Sequence, residues 1–342
     1  MKEKNSRAPA TREDDLIEMM KTLLGDSARR VPLGIGDDCA VIGPGPRGTD
    51  LLLTTDLLVE RTHFQLEWAA PYQIGWKSLA ASVSDIAAMG GRPTAAVISI
   101  GVRARNRDYF IKSFYEGLSA AADKYGVAVA GGDTVRSELV VVNVTLLGEV
   151  ARGKAITRKG ARPGDIIFIT DTCGDSRAGL EILQAAAAAK QKRIEPYMKR
   201  LTEYHLTPAP SIDAGLAAAA SGAVTAMMDL SDGIAADLPR LCKRSLAGAR
   251  VRAADFPLSP DFIKWCESSG KPASELALLG GEDYNLLIAA DPKKADNLIE
   301  LVEELGIRIT AVGEIAPRKE GLTLAGADGA PLPWPDSGFL HF

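Results

Sequence analysis

The sequence is poor in the residues that staple small proteins or clip metals. Its four cysteines, Cys39, Cys173, Cys242 and Cys266, are widely spaced and contain no C-x-x-C pair. That spacing argues against a disulfide framework and against a thiolate zinc site, leaving reduced, structural thiols. Three histidines, His63, His205 and His341, are too few for a histidine-rich metal centre. No apolar run reaches the roughly 18 residues a membrane span needs. The opening Met1 to Asp15 is polar and lacks the apolar core of a secretory signal. A cytoplasmic location with no membrane partner is therefore expected. With 40 basic and 44 acidic residues the chain has a formal charge of -4, so it carries no general field for nucleic acid. Its chemistry must rest on carboxylates, locally placed cations and backbone groups.

The 342 residues, 46% hydrophobic and 25% charged, exceed what one core usually organises and suit two globular domains. Short β-rich runs recur at 51–55, 94–102, 127–130, 139–147, 165–170, 224–228, 285–289 and 309–312. Helical patterns lie between them, at 14–24, 108–125, 175–192, 211–220, 234–245 and 292–305. The clearest runs from Pro71 to Met89, with an apolar stripe from Trp76 to Ala87, a polar side of Ser78, Ser82 and Asp85, and Gly90-Gly91 as its stop. The elements mix without strict alternation, which predicts an α+β fold of layered sheets and helices. A stretch rich in Gly, Pro and cations, Arg158 to Gly164, reads as a linker or domain edge, and the boundary is expected near residue 151, giving domains 1–150 and 151–342.

Six separated Gly/Asp clusters stand out: Gly34 to Asp38, Thr54 to Asp56, Ser84-Asp85, Gly131 to Thr134, Asp229 to Gly233 and Gly280 to Asp283. Each alone is ordinary turn chemistry. Together they place Asp56, Asp133 and Asp229 where strand patterns end and Asp85 on the polar side of a helix. Carboxylates converging from such positions repel one another or take up protons unless a cation sits among them. An all-oxygen set favours Mg²⁺, commonly shared with substrate phosphates, so phosphoryl chemistry on a nucleotide is the leading inference. No dinucleotide fingerprint or protein-kinase motif set is present. Gly148 to Ala155 misses a P-loop by one residue, with Ala155 where a metal-binding hydroxyl belongs. Arg158 and Lys159 suit either a phosphate contact or a solvated linker. His63 beside Phe64 suits a structural ring or a phosphate or ring contact, and Phe339 either covers a heterocycle or docks the tail.

From Asp14 to Phe342 these clusters, in this order, resemble the thiamine-monophosphate kinase family of the aminoimidazole-ribonucleotide-synthetase-like superfamily. The matching segments are Gly34 to Ala40, Thr55-Asp56 with His63-Phe64, Ser84 to Gly90, Gly131 to Thr134, Thr157-Arg158 with Gly160, Asp229 to Gly233 and Gly280 to Tyr284. The resemblance implies transfer of the ATP γ-phosphoryl group to thiamine monophosphate, giving thiamine diphosphate and ADP without a phosphoenzyme. It assigns Asp38, Thr54, Thr55, Asp56, Asp85, Asp133, Asp229 and Asp232 to several Mg²⁺ ions. It assigns Gly132, Arg158, Ser231 and Tyr115 to ATP, and His63, Glu282 and Phe339 to the thiamine phosphate. It further implies a homodimer in which amino-terminal strands of two subunits form a shared barrel beside a sandwich-like carboxy-terminal domain. The segment 185–204 and the tail depart from the family pattern. The rival readings are a synthetase that activates an amide or carbonyl oxygen by phosphorylation, and a non-catalytic sensor of nucleotide and Mg²⁺.

Overall fold

A computed structural model describes residues 13–103, 107–190, 193–326 and 329–335. Its first part contains α1 (Glu13–Leu24), β1 (Ala40–Pro44), β2 (Thr49–Val59), α2 (Pro71–Ala88), β3 (Arg92–Val102), α3 (Arg107–Tyr125), β4 (Ala128–Arg136) and β5 (Val141–Ala151). There follow β6 (Ile166–Thr170), α4 (Asp175–Ala188), α5 (Pro196–Leu206), α6 (Ile212–Ser221), β7 (Val224–Asp229), α7 (Ile234–Ser245) and β8 (Gly248–Arg252). The chain continues through α8 (Pro260–Ser269), α9 (Ala273–Leu279), β9 (Leu286–Ala290), α10 (Ala295–Glu303), β10 (Ile309–Ala316), β11 (Leu322–Ala325) and β12 (Pro331–Leu332).

Two mixed sheets result, one per half, in an α+β arrangement. The first runs β1-β2-β5-β3-β4, antiparallel except for β3 beside β4; the second runs β12-β11-β8-β10-β6-β9-β7, antiparallel except for β11 beside β8. Helices α2 and α3 cover one face of the first sheet. They cross closely because both contribute glycine at the contact: a Cβ on Gly75 would lie 2.0 Å from Phe114 O, and one on Gly117 would lie 1.8 Å from Tyr72 O. The other face stays open, with Leu57, Val97 and Val135 exposed on it and the whole of β4 at the edge.

Helix α2 joins the halves. Its last turn, Ala87 and Ala88, belongs to an apolar cluster with Ala214, Ala218, Met227 and Ile288 of the second half. The backbones approach so closely that a Cβ on Gly215 would sit 2.2 Å from Ala87 O. Burial therefore runs almost all round this helix: Ser78 and Ser82, expected on a polar side, are fully buried. The strand-end placement also needs correction. Asp229 does end β7, but Asp56 and Asp133 lie inside β2 and β4, which are longer than their apolar runs. The helix expected over 175–192 ends at Ala188, and α5 follows it. The near-P-loop begins as strand, since β5 continues to Ala151. All four cysteines are free and buried, and among the described residues no helix is long and apolar enough to cross a membrane.

Candidate active site

Strand alternation and helix pitch bring carboxylates of both halves together. On β2, Thr54 and Asp56 face α2, while Thr55 turns to the opposite face. Helix α2 answers with a fan of polar side chains: Thr54 donates a hydrogen bond to Asp85, Ser82 donates to Asp56 Oδ2 at 2.7 Å, and Ser84 donates to Asp229 Oδ2 at 2.8 Å. Asp38 comes from the loop before β1. Carboxylate oxygens of Asp38, Asp85 and Asp229 all lie within 4.8 Å of one another.

The electrostatics are those of crowded, desolvated anions. Burial, then Asp56, Asp229 and Asp38, push the Asp85 carboxyl well above the usual range, opposed by the Thr54 hydrogen bond. Burial, then Asp38 and Asp237, raise Asp229 in the same way, against Ser84 and Arg158. Burial also raises Asp56, opposed by Ser82. Asp38 Oδ2 is buried without a hydrogen-bond partner. Its other oxygen accepts from Arg158 Nη2 at 2.5 Å and Nε at 3.1 Å. Burial works against the Arg158 charge, but Asp38 outweighs it and the guanidinium stays protonated. Arg158 is thus no solvated linker residue; its backbone N–H also donates to Asp37 Oδ1 at 2.7 Å. Cys39, beside Asp38, is held as a thiol by burial and the surrounding carboxylates.

From this cluster a cleft of ≈ 1050 Å³ opens between the halves. His63 and Phe64 form one wall, Ser231 and Asp232 another, and Glu282 lies farther along. His63 Nδ1 accepts from Val59 N–H at 3.0 Å, which puts the ring proton of the neutral form on Nε2. Asp232 accepts from Arg240, which also holds Asp237 at 2.9 Å. Ser231 O accepts from Glu282 N at 2.7 Å and so ties two glycine-acid loops together.

Other expected residues lie elsewhere in the chain or face away from the cluster. Thr55 contributes to the cleft lining, but its hydroxyl is engaged across the outer face with Asn143 and Thr145. Gly132 and Asp133 sit on edge strand β4, with β5 and β3 between them and Asp56 on β2. Gly132 has a packing reason of its own, since a Cβ there would lie 1.8 Å from Ile98 O. Tyr115 packs edge-on to Phe114 on α3, outside the cleft lining. Phe339 falls outside the described residues. Sequence reasoning missed Lys77 and His205, both buried against Glu282. Lys77 had a legible signal, four-residue spacing from Ala81 and Asp85 on one helix. His205 shares such spacing with Tyr197 and Leu201 on α5.

A two-domain fold with a carboxylate-lined cleft between mixed sheets defines a class. The models for the AIR synthase related protein N-terminal domain and C-terminal domain match residues 36–150 and 162–324. Thiamine-monophosphate kinase of Aquifex aeolicus is 36% identical over 291 residues, 85% of this chain and 90% of that protein. The enzyme of Escherichia coli strain K12 is 35% identical over 312 residues, 91% of this chain and 92% of its own length. The chain belongs to the thiamine-monophosphate kinase family and is a kinase. Among solved structures, AaThiL complexed with AMPPCP and TMP superposes with a TM-score of 0.84 at 33% identity, covering 99% of this chain and 100% of that one. The hydrogenase maturation protein HypE, at 18% identity and a TM-score of 0.63 over 86% of this chain and 89% of that one, shares the fold alone.

Proposed function

We propose that this protein transfers the γ-phosphoryl group of ATP to thiamine monophosphate, giving thiamine diphosphate and ADP by direct in-line attack. The observation that carries the reading is the meeting of Asp38, Asp85 and Asp229 from three separate segments at the head of a cleft that also holds His63 and Glu282. The acceptor is a phosphate oxygen, largely ionised near neutral pH, so no strong general base is required. The protein's work is to align two anions and reduce their repulsion.

The residues fit divalent cations. An orphaned carboxylate oxygen on Asp38, raised carboxyls at Asp85 and Asp229 and an all-oxygen donor set are what a hard cation relieves. Asp38, Thr54, Asp56, Asp85, Asp229 and Asp232 would hold Mg²⁺. Bound there, Mg²⁺ supplies charge neutralisation and orientation of donor and acceptor oxygens. Arg158 and Ser231 serve the nucleotide, Arg158 by its fixed charge. His63, Glu282 and, by family resemblance, Phe339 serve the thiamine phosphate.

Thr55, Gly132, Asp133 and Tyr115 enter the same reading through a homodimer. The open apolar face of the first sheet and the unpaired β4 edge suit a second copy, whose strands would complete a shared barrel. Domain 1–150 then supplies the dimer contact and much of the Mg²⁺ set, and domain 151–342 completes the nucleotide and acceptor sites in the cytoplasm.

The test is incubation of purified protein with ATP, Mg²⁺ and thiamine monophosphate, with products followed by mass spectrometry. Thiamine diphosphate should form one-for-one with ADP and cease with a chelator. ADP without thiamine diphosphate points to the synthetase reading, and nucleotide binding without turnover points to the sensor.

A further inference from the structure

Two helical turns from the carboxylate cluster, α2 carries a charged group that the reading above leaves unused. Lys77, Ala81 and Asp85 recur at four-residue spacing and share one side of the helix. About 12 Å of axis separates the first from the last. Ala81 and Asp85 line the cleft. Lys77 lies behind its wall with a side chain only 4% exposed. An ammonium ion so enclosed is costly unless an anion faces it.

That anion comes from the other half of the molecule. Lys77 Nζ lies 2.8 Å from Glu282 Oε1, an ion pair between the two halves. Glu282 occupies a left-handed backbone position, φ 63°, in the loop before β9, and its side chain remains 26% exposed toward the cleft. Its Oε2 is 3.3 Å from His205 Nδ1, which also lies 3.0 Å from Ser176 Oγ. Burial, reinforced by Lys77, pushes the His205 imidazole down to about 3. The ring is therefore neutral at physiological pH, and its Nδ1 serves only one of those two partners at a time. The full positive charge facing Glu282 from behind is that of Lys77. Burial alone would raise the Glu282 carboxyl; Lys77 reverses that, and the group stays ionised.

We propose that Lys77 is a positioning residue for acceptor recognition: it fixes the Glu282 carboxylate as an anchor for a cationic or N–H-bearing ring, at a set distance from the Asp85 end of the cleft. A glutamate on a loop has several rotamers open to it, and an ion pair reaching it from the other half of the molecule removes that freedom. The inference rests on the kinase reading, in which the acceptor carries a phosphate at one end and a cationic ring system at the other. Helix α2 then acts as a ruler, with Asp85 at the reacting end and Lys77 setting the recognition end.

The test is Lys77→Met in the full chain, with ATP and thiamine monophosphate varied separately. The KM for thiamine monophosphate should rise about tenfold, while kcat and the KM for ATP stay within about twofold. Lys77→Met added to Glu282→Gln should leave the acceptor KM of the Glu282→Gln protein unchanged, because the charge that Lys77 positions is already gone. The double variant buries no unpaired charge at the pair, and Lys77→Arg, which keeps the charge, should hold the acceptor KM within about threefold of wild type even where a neutral single variant fails to fold; a tenfold rise in Lys77→Arg with normal folding would count against the inference. Equal rises in both KM values, or an additive rise in the double variant, would overturn the inference. Wild-type protein that makes no thiamine diphosphate overturns the kinase reading instead, before any variant is needed.

Discussion

At the scale of single residues, the site is a conflict of like charges held in place by hydroxyl groups. Thr54, Ser82 and Ser84 each give a hydrogen bond to one carboxylate, fixing the oxygens without neutralising them. Asp85→Asn or Asp229→Asn should lower kcat by at least about 100-fold. The same changes should leave the melting temperature without divalent ions equal or higher, because one crowded charge is removed. Steady-state kinetics and calorimetry on the same preparations check both; matched activity at equal Mg²⁺ would sink the ligand assignment. The carboxylates themselves were legible as Gly/Asp clusters. Thr54 and Ser84 stood out within the same clusters, but the bonds that Thr54, Ser82 and Ser84 make were not legible, because a hydroxyl in the sequence looks the same whether it faces water or a buried anion.

At the scale of elements, α4 shows how the glycine-acid loops are anchored. Asp283 accepts from the backbone N–H groups of Gly174 and Ser176 at 2.7 and 3.1 Å, at the start of the helix. Burial outweighs those donors, and the carboxyl is pushed from 3.8 up to about 8. With a folded value above the unfolded one, its stabilising contribution is complete below pH 3.8 and is lost as pH rises toward about 8. Its partly exposed edge lets water moderate this, so the slope should be a fraction of ~1.4 kcal/mol per pH unit. Urea unfolding between pH 5 and 8 should show wild type losing stability relative to Asp283→Asn; parallel curves would refute it. Helix α2 was the most readable element, from its apolar stripe and the Gly90-Gly91 stop. Helix α5 was overlooked because 185–204 lacked the family pattern, although Pro196 opens it.

At the scale of the whole molecule, the first sheet is covered on one face only. A chain with Leu57, Val97 and Val135 in solvent on that open face has reason to pair. Light scattering should give twice the mass of the 342-residue chain. Val97→Lys should yield a monomer with activity reduced at least about tenfold, since Gly132 and Asp133 would no longer reach a neighbouring site. Full activity in a proven monomer would remove those residues and Tyr115 from the proposal.

Residue order alone determined the two-part α+β organisation and pointed to the acids to watch, because hydrophobic period and Gly/Asp punctuation are local properties of the chain. Only tertiary structure decided which of those acids meet. It placed Asp38, Asp85 and Asp229 within 4.8 Å, turned Thr55 to the opposite face, left Asp133 on a distant edge and set Lys77 behind Glu282. Distances between segments dozens of residues apart depend on strand order and helix crossing, and those follow from packing: glycine lets α2 lie close to α3 and α6, and the resulting contact carries one helix into both halves.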